Sequence, residues 1–373
     1  MRKGRHILMT TDAVGGVWVY STMLAQALAA RGDRVTLVTL GPPPNGEQRA
    51  ALSGNSAIEL VVTDLALEWM DPAGEDTRRA GEALLAFAHQ RRPDIVHLNS
   101  YREGALPWPA PVLVVAHSCV MSWSQACDDR LGEEPRWRAY GRAVDEGLRA
   151  ADAWVAPTAA FRESIRSIYA PPTSGIVIHN GIETRPGAPS EKRDVILASG
   201  RLWDRAKNLA AVLGVAPQLR WPVEIAGPLS GPCGEAAPHG HNIHFLGELP
   251  RPQLLARMRE AAIYVAPARY EPFGLGVLEA AQAGCALVLS DIPTMRELWD
   301  GAALFVPCDD AEMLAASLQM LCSSRDLYAE LQLAAAQRAR CYGIDATARK
   351  YSALYDAMLG RVASAITQRE ARA

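Results

Sequence analysis

Short apolar runs alternate with amphipathic stretches along most of this 373-residue chain, and this alternation limits its fold more than any other feature. Strands that alternate with helices pair into parallel sheets covered by helices on both faces. The pattern predicts a first set of strands at residues 6–10, 34–40, 58–63, 95–99, 112–117, 153–157 and 176–179. It predicts a second set at residues 195–199, 223–226, 244–246, 263–266, 286–290 and 303–306. Each half is therefore predicted to be a doubly wound, Rossmann-like α/β domain.

A polar, proline-rich stretch at residues 185–193 interrupts this alternation and is predicted to be a linker. A chain of this length suits two domains of roughly 180 residues each. We therefore predict one Rossmann-like domain at residues 1–184 and a second at residues 194–344, followed by a final helical segment at residues 345–373. In open α/β sheets, ligands bind at the carboxyl ends of the strands. The loops that follow the strands are therefore the first places to look for a functional site.

Composition excludes several classes of function. The chain has 49% hydrophobic and 21% charged residues, as in ordinary globular proteins. A formal net charge of −3 provides no field that would recruit nucleic acid, so no nucleic-acid partner is expected. The seven cysteines form no Cys-x-x-Cys pair, which argues against a disulfide framework or a zinc site and fits a reducing cytoplasm. No apolar run approaches the roughly 20 residues that span a bilayer, although peripheral contact with a membrane stays open.

Two glutamates stand where the strand predicted at residues 263–266 passes through a glycine-rich loop into a helix. The segment 271–279 is EPFGLGVLE, with Glu271 and Glu279 at its two ends. Backbone N–H groups and a helix N-terminus at such a turn hold a diphosphate well. Glu271 is predicted on the loop and Glu279 about two turns into the helix, so they can face different parts of one ligand. The spacing alone is weak, because acidic residues often decorate the first turn of a helix.

Two other strand ends carry groups suited to phosphate. Gly15 and Gly16 follow the first strand and precede a helix, where the backbone can approach a ligand closely, although a plain tight turn has the same pattern. Arg201 and Lys207 follow the first strand of the second half. Two cations there suit a pyrophosphate, but solvated surface cations are the alternative. Arg205 competes with Lys207 for the second position.

His117 ends the strand predicted at residues 112–117. A histidine at a strand end is more often structural than functional, but at a ligand site its ring can hydrogen-bond a hydroxyl group. The segment HGHNIH at residues 239–244 lacks acidic or thiolate company, so a surface loop is favoured over a metal site. The chain has no Asp-x-Asp motif, and a metal-bridged diphosphate is therefore not indicated. Neither a metal nor a cofactor is expected.

Residues 271–288 closely resemble the signature of retaining, nucleotide-sugar-dependent glycosyltransferases of the family-4 type, which have the GT-B fold. The resemblance covers nearly the whole chain and is strongest after residue 247. It implies two Rossmann-like domains that face a central cleft, with the last helix crossing back to the N-terminal domain. It also implies an enzyme that transfers a sugar from a UDP-, GDP- or ADP-sugar to an acceptor, with retention of configuration and without a metal.

The resemblance further implies a role for each candidate residue. Glu271 would orient the donor sugar, and Glu279 would bind the ribose hydroxyls. Arg201 and Lys207 would stabilise the departing diphosphate, while His117 would face the transferred sugar. The two glycine-containing turns would bind the donor, through Gly15, Gly16, Phe273, Gly274, Leu275 and Gly276.

Two alternative functions stay open. A nucleotide-sugar epimerase with the same fold would need several acids and histidines at the sugar carbon, and only His117 and Glu271 are candidates. A non-catalytic nucleotide-sugar-binding protein would bind its ligand without turnover. The sequence does not decide whether the acceptor is a carbohydrate, a lipid or a small molecule, and it does not name the base or the sugar of the donor.

Overall fold

The computed structural model describes residues 4–184, 191–229 and 241–370. The chain divides into two compact units. Unit 1 consists of Met1–Gln125, Asp129–Gly181 and Ile344–Ala373, and unit 2 of Ala126–Asp128 and Ile182–Gly343. Most of the predicted linker, at residues 185–190, lies outside the described residues. Arg193, which the sequence placed in that linker, is the first residue of a strand.

The described part of unit 1 contains a seven-stranded parallel sheet. Its strands are β1 His6–Asp12, β2 Arg34–Leu40, β3 Ile58–Val61, β4 Ile95–Leu98, β5 Val112–Val115, β6 Ala153–Ala156 and β7 Ile176–Val177. They are arranged in the order β3-β2-β1-β4-β5-β6-β7. All seven residues of β1 are buried, as expected for a central strand of a sheet that is covered on both faces.

The helices of unit 1 connect these strands and cover the sheet. They are α1 Gly16–Ala29, α2 Gly46–Ala50, α3 Thr77–Arg91, α4 Val120–Ala126, α5 Pro135–Ala150, α6 Ala159–Tyr169 and, after unit 2, α13 Ile344–Glu370. Helix α13 packs against α1. Buried Arg5 links α13 to the rest of unit 1. Its guanidinium donates to the carbonyl oxygen of Ser352 on α13 at 2.7 Å and pairs with buried Asp33, before β2, at 2.7 Å. The C-terminal helix is thus part of the fold of unit 1.

The described part of unit 2 contains a six-stranded parallel sheet. Its strands are β8 Arg193–Ser199, β9 Val223–Ala226, β10 Ile243–Gly247, β11 Ala261–Ala266, β12 Ala286–Ser290 and β13 Leu304–Val306. Their order is β10-β9-β8-β11-β12-β13. The covering helices are α7 Leu209–Val215, α8 Arg251–Glu260, α9 Leu275–Gln282, α10 Pro293–Trp299, α11 Ala311–Ser323 and α12 Arg325–Ala339. Its core packs aliphatic strand residues such as Ile196, Val265 and Val288, each at most 1% exposed, and each such burial stabilises the fold by about 1.5–3 kcal/mol.

Each of the thirteen predicted strands overlaps an observed strand, and the prediction of two doubly wound α/β domains is confirmed. In each sheet the chain order of the strands reverses beside the first strand, at β1–β4 in unit 1 and at β8–β11 in unit 2. Such a reversal opens a crevice at the carboxyl ends of the strands. In unit 2 the candidate residues follow the two strands at the reversal, β8 and β11, or lie on the helix after β11. In unit 1, Gly15 and Gly16 follow β1, which lies at the reversal, whereas His117 follows β5, one strand farther along the sheet.

Candidate active site

In unit 2, the carboxylate of Glu271 lies among the groups that the sequence singled out. Lys207 Nζ contacts Glu271 Oε2 at 2.6 Å, and the backbone N–H of Gly274 donates to Glu271 Oε1 at 3.0 Å. The hydroxyl of Thr294 donates to the backbone carbonyl of Glu271 at 2.7 Å. Both carboxylate oxygens are therefore held, one by a cation and one by the turn that leads into α9. The two paired side chains are only 29% and 20% exposed, so their ion pair is partly shielded from water.

The two candidate cations for the second position lie in different surroundings. Lys207 is the one that reaches Glu271, whereas the guanidinium of Arg205 donates to the backbone carbonyl of Cys127 at 2.7 Å. Arg201 Nη2 contacts Asp204 Oδ2 at 2.6 Å. Burial alone would raise the pKa of Asp204, but Arg201, the backbone N–H of Ala206 and Lys207 together outweigh it and the pKa is lowered. The structure thus brings Lys207, and not Arg205, to Glu271, and it fixes Arg201 on an ionised aspartate.

The turn before α9 brings backbone amides close to these side chains. Gly274 has φ 82° and ψ 64°, a left-handed conformation that suits glycine, and α9 begins at the next residue. A Cβ atom on Gly276 would lie 3.1 Å from the hydroxyl oxygen of Tyr264 on β11, so glycine allows α9 to lie tightly on the sheet. The first N–H groups of a helix have no acceptor within the helix. They are suited to an anion beside Lys207.

Phe273 occupies this turn in a different way from its neighbours. Its side chain is 4% exposed and packs edge-on against Tyr342, with ring centroids 5.8 Å apart. The aromatic ring therefore anchors the turn in the core of unit 2. If Phe273 contributes to donor binding, the part that is placed to do so is its backbone.

Glu279 lies within α9 and is 8% exposed. The guanidinium of Arg251, on α8, donates to one of its oxygens, Oε1, through Nη2 at 2.7 Å and through Nε at 2.9 Å. Burial raises the pKa of Glu279, and the charge and hydrogen bonds of Arg251 oppose that rise. Sequence analysis missed Arg251, since it lies 28 positions away on another helix and belongs to no motif.

In unit 1, Gly15 and Gly16 form the turn between β1 and α1. Gly15 has φ 83°, and a Cβ atom there would meet no atom within 4 Å, so backbone conformation and not space favours glycine. The carboxylate of Asp12 accepts a hydrogen bond from the N–H of Val14 at 2.8 Å and so shapes the turn. Both glycines are exposed. The arrangement leaves the start of α1 open to a ligand.

His117 follows β5 and is held by Asn99, which follows the adjacent strand β4. His117 Nε2 lies 2.8 Å from Asn99 Oδ1. The amide nitrogen of Asn99 donates to the carbonyl oxygen of Thr10 at 2.7 Å, which turns its Oδ1 toward the histidine. Because Oδ1 only accepts, His117 Nε2 must carry the proton, and Nδ1 carries the lone pair. Burial lowers the pKa of His117 to about 3, so the ring is neutral at pH 7.

A second histidine completes this network in unit 1. His97 Nε2 lies 3.2 Å from the same Asn99 Oδ1, and His97 Nδ1 lies 2.6 Å from the hydroxyl of Tyr355 on α13. Burial lowers the pKa of His97 to about 3 as well. The hydroxyl of Tyr355 therefore donates to Nδ1, and both histidines hold the same tautomer. In the sequence, only the positions of Asn99 and His117 at the ends of neighbouring strands point to this network.

Within residues 4–184, 191–229 and 241–370, no three His, Cys, Asp or Glu side chains are grouped so as to hold a metal ion. The histidine-containing segment at 239–244 falls partly outside these ranges, since residues 239 and 240 are not described. In the same ranges, none of the helices is apolar over a length that would cross a membrane.

Comparison with known families identifies the chain. The family model "Glycosyltransferase Family 4" matches residues 14–185, and the model "Glycosyl transferases group 1" matches residues 193–324. The first match falls in the part of the chain that forms most of unit 1, and the second in unit 2. Two Rossmann-like units with these matches define the GT-B class of glycosyltransferases. The protein belongs to its family-4 type, as the resemblance of residues 271–288 predicted.

Relatives and solved structures agree with this assignment. The chain is 28% identical over 344 residues to the glycogen synthase of Mycobacterium tuberculosis, with 82% of each chain covered. Its fold matches sucrose-phosphate synthase from Thermosynechococcus elongatus with a TM-score of 0.80 at 18% identity, over 96% of this chain and 100% of that one. It also matches the Anabaena protein HepE in complex with UDP-glucose, with a TM-score of 0.73 at 14% identity, over 95% and 100% of the two chains.

Proposed function

We propose that this glycosyltransferase moves a sugar from a nucleoside diphosphate sugar to a hydroxyl acceptor, with retention of anomeric configuration and without a metal ion. The observation that carries the proposal is the Lys207–Glu271 pair beside the N-terminus of α9. There, one acid, one cation and a set of backbone amides lie within reach of a single ligand. The structure of HepE with UDP-glucose, which has the same fold, supports a nucleotide sugar as the donor.

The donor is proposed to lie along α9. Glu279 would accept hydrogen bonds from the ribose hydroxyls, and the amides of Gly274, Leu275 and Gly276 would hold the phosphates. Arg201 and Lys207 would stabilise the charge that develops on the diphosphate as the glycosidic bond breaks, because such charge is where fixed cations lower a barrier most. In this arrangement the two side chains supply the positive charge that a metal ion would otherwise contribute.

Retention is proposed to occur on one face of the sugar. A covalent intermediate would need a free carboxylate at the anomeric carbon. Both oxygens of Glu271 are already engaged by Lys207 and Gly274, and Glu279 is assigned to the ribose. In the proposed step the bond from the anomeric carbon to the phosphate oxygen breaks and a bond to the acceptor oxygen forms on the same face. The acceptor proton passes to the departing phosphate oxygen.

His117 of unit 1 is proposed to contact the transferred sugar. Its neutral ring, with the proton held on Nε2 by Asn99, offers Nδ1 as a hydrogen-bond acceptor for a hydroxyl group. The network that keeps His117 neutral is thus suited to selecting a hydroxyl.

The acceptor is proposed to be a carbohydrate, a lipid or a small molecule that presents a hydroxyl group. The relatives named above differ in this respect, as glycogen synthase and sucrose-phosphate synthase have different products by name. A cytoplasmic location, with the inner face of the membrane as a place of peripheral contact, completes the proposal.

The test is nucleotide release from a panel of UDP-, GDP- and ADP-sugars, with the sugar product followed by NMR. One donor should release its nucleotide slowly even without an acceptor, and Glu271→Ala and Arg201→Ala should abolish this release. Arg296→Ala is the matched control, because Arg296 pairs with Asp291 on the surface of the same unit. An α product from an α donor would establish retention. A trapped glycosyl–enzyme adduct would contradict the one-face mechanism, and conversion of the sugar with its nucleotide still attached would indicate an epimerase.

A further inference from the structure

Arg251 lies in the first turn of α8 and makes an unusual contact with Glu279. Its two N–H groups, on Nη2 and Nε, both donate to Oε1 of the carboxylate. A guanidinium and a carboxylate more often form two parallel bonds, one to each oxygen. Here Arg251 leaves the second oxygen, Oε2, outside the ion pair.

Among the described residues, burial and Arg251 are the influences that shift the pKa of Glu279. The elements packed against α9 carry Tyr264 on β11, Cys285 just before β12 and Arg338 on α12, and α8 itself also carries Arg259 and Arg257, which pairs with Glu260. Tyr264 and Cys285 are neutral at pH 7, because burial raises the pKa of both, that of Cys285 to about 11. Arg338 donates to two backbone carbonyls. The balance between burial and charge at Glu279 therefore depends on Arg251.

A second carboxylate nearby has its own partner. Glu271, which like Glu279 acts on the Tyr264 hydroxyl electrostatically, is paired with Lys207. Glu271 is thus paired with Lys207, and Glu279 with Arg251. Glu279 is the more deeply buried of the two acids, with 8% exposure against 20% for Glu271.

We propose that Arg251 is a positioning residue for nucleotide binding, which holds Oε1 of Glu279 so that Oε2 is directed to the ribose hydroxyls of the donor. This inference rests on the proposed function, because it takes a ribose as the ligand of Glu279. It assigns to Arg251 no contact with the reacting atoms. Arg251 keeps Glu279 ionised and orients its carboxylate.

The consequence is a pH dependence that the unaltered protein does not show. With Arg251 removed, burial acts unopposed and the pKa of Glu279 rises further. A protonated carboxyl group binds ribose hydroxyls less well than a carboxylate, since charged hydrogen bonds are the stronger ones. Nucleotide affinity in such a variant is therefore present at high pH and is lost as the pH falls through the raised pKa.

The experiment is calorimetric titration of the full-length protein with UDP, GDP and ADP at pH 6 and pH 8. For the nucleotide that binds, the wild-type affinity should change between the two pH values only as far as the ionisation of the nucleotide's own phosphate changes it. Arg251→Ala should lose about a further tenfold in affinity on going from pH 8 to pH 6, because Glu279 is then protonated before it can bind. Arg251→Lys, which keeps the charge, should restore most of the affinity at pH 6 and also shows that the position tolerates substitution.

The 2′,3′-dideoxy form of the same nucleotide separates this role from others. It lacks the groups that Glu279 is proposed to bind, so Arg251→Ala should leave its affinity unchanged at both pH values. An equal loss with the dideoxy form would overturn the inference, because Arg251 would then act on the base or the phosphates. An affinity for UDP, GDP and ADP that Arg251→Ala does not alter would overturn it as well, while leaving the proposed function intact. Failure of the wild-type protein to bind any of the three would instead remove the proposed function, and the inference with it.

Discussion

The two units prepare their candidate residues in opposite ways. In unit 1, His117, Asn99, His97 and Tyr355 form a chain of neutral hydrogen bonds, and burial keeps both histidines uncharged. In unit 2, the candidate residues are ions that pair with ions, as in Lys207–Glu271, Arg201–Asp204 and Arg251–Glu279. Unit 1 holds its histidines neutral with the proton on Nε2, whereas unit 2 holds its candidate side chains in ion pairs.

This difference matches what each unit is proposed to bind. A hydroxyl group is recognised by an acceptor of known tautomer, which a neutral, buried network can hold in place without the cost of burying an ion. A diphosphate carries charge that grows during the reaction, and pre-placed cations lower the barrier most effectively. In the ligand-free protein, the ion pairs of unit 2 also give each of these cations an acidic partner. The comparison predicts that activity is lost when a substitution removes a charge from the site of unit 2 or adds a charge to the network of unit 1.

The largest effect on the reaction rate is expected from removing charged side chains of unit 2. Lys207→Ala should lower the rate of nucleotide release about 100- to 1,000-fold, in line with the loss of one group that stabilises developing charge. Glu271→Gln should cost a comparable factor, and the double variant should cost less than the product of the two, because the residues are in direct contact. Rates at saturating donor measure this effect.

Lys350→Ala is the matched control for Lys207→Ala, since Lys350 is an exposed lysine of α13 in the other unit. It should leave the rate unchanged. Strictly multiplicative losses in the Lys207 and Glu271 variants would show that the pair in the ligand-free protein has no bearing on the reaction.

A smaller effect is expected from adding a charge to unit 1. In the wild-type protein, the pKa of His117 is lowered to about 3, so its ring stays neutral from pH 5 to pH 8 and does not limit the rate there. Asn99→Asp places a carboxylate beside the ring, which raises such a pKa by about 1–3 units. The neutral form is then lost as the pH falls, and the rate at pH 5 should drop by up to about tenfold relative to pH 8.

The pH profile of nucleotide release, together with NMR titration of the imidazole groups, measures this change. Asn99→Ala is the control, because it removes the hydrogen bond without adding a charge and should lower the rate equally at all pH values. A flat profile for Asn99→Asp with a raised His117 pKa would show that the protonation state of His117 is irrelevant to the reaction.

The smallest effect is expected from a substitution that strains the backbone of the turn before α9 in unit 2. Gly274→Ala should destabilise the protein by about 1–2 kcal/mol, because residue 274 has φ 82° in the left-handed region. Gly301→Ala is its matched control, with φ 75° and open space around the Cβ position. Thermal denaturation should show a loss for both variants, and the larger one for Gly274→Ala, because a Cβ atom there would lie 3.2–3.3 Å from side-chain atoms of Val277, Glu271 and Met295. Only Gly274→Ala should also weaken nucleotide binding, and equal binding in the two would argue that the turn before α9 does not contact the donor.

The sequence predicts the fold well because the fold depends on local patterns. Apolar runs bounded by turns place each strand, and the resemblance of residues 271–288 identifies the family. Glu271 and Lys207 were both candidates, but their direct contact joins positions 64 apart and follows only from the packing of the loops after β8 and β11. The roles of these residues stay predictions.

Other parts of the site left no trace in the sequence. Arg251 reaches Glu279 from a neighbouring helix, and Tyr355 reaches His97 across 258 positions. Such pairings depend on which helix lies beside which, and no period or motif records that. The side chain of Phe273 belongs to the core, although its motif marks it as a donor-binding residue, because an aromatic ring at a turn can serve either purpose.

The contribution of α13 to unit 1 has a consequence for how the protein is made. Residues 344–370 emerge from the ribosome after the whole of unit 2, yet they supply Tyr355 to His97 and Ser352 to Arg5. Unit 2, which lies between the two parts of unit 1 in the chain, has all its strands and helices as soon as residue 343 has emerged. Domains generally fold as units during synthesis. We therefore expect the unit that begins first to be completed last, so that the neutral histidine network forms only after the charged site already exists.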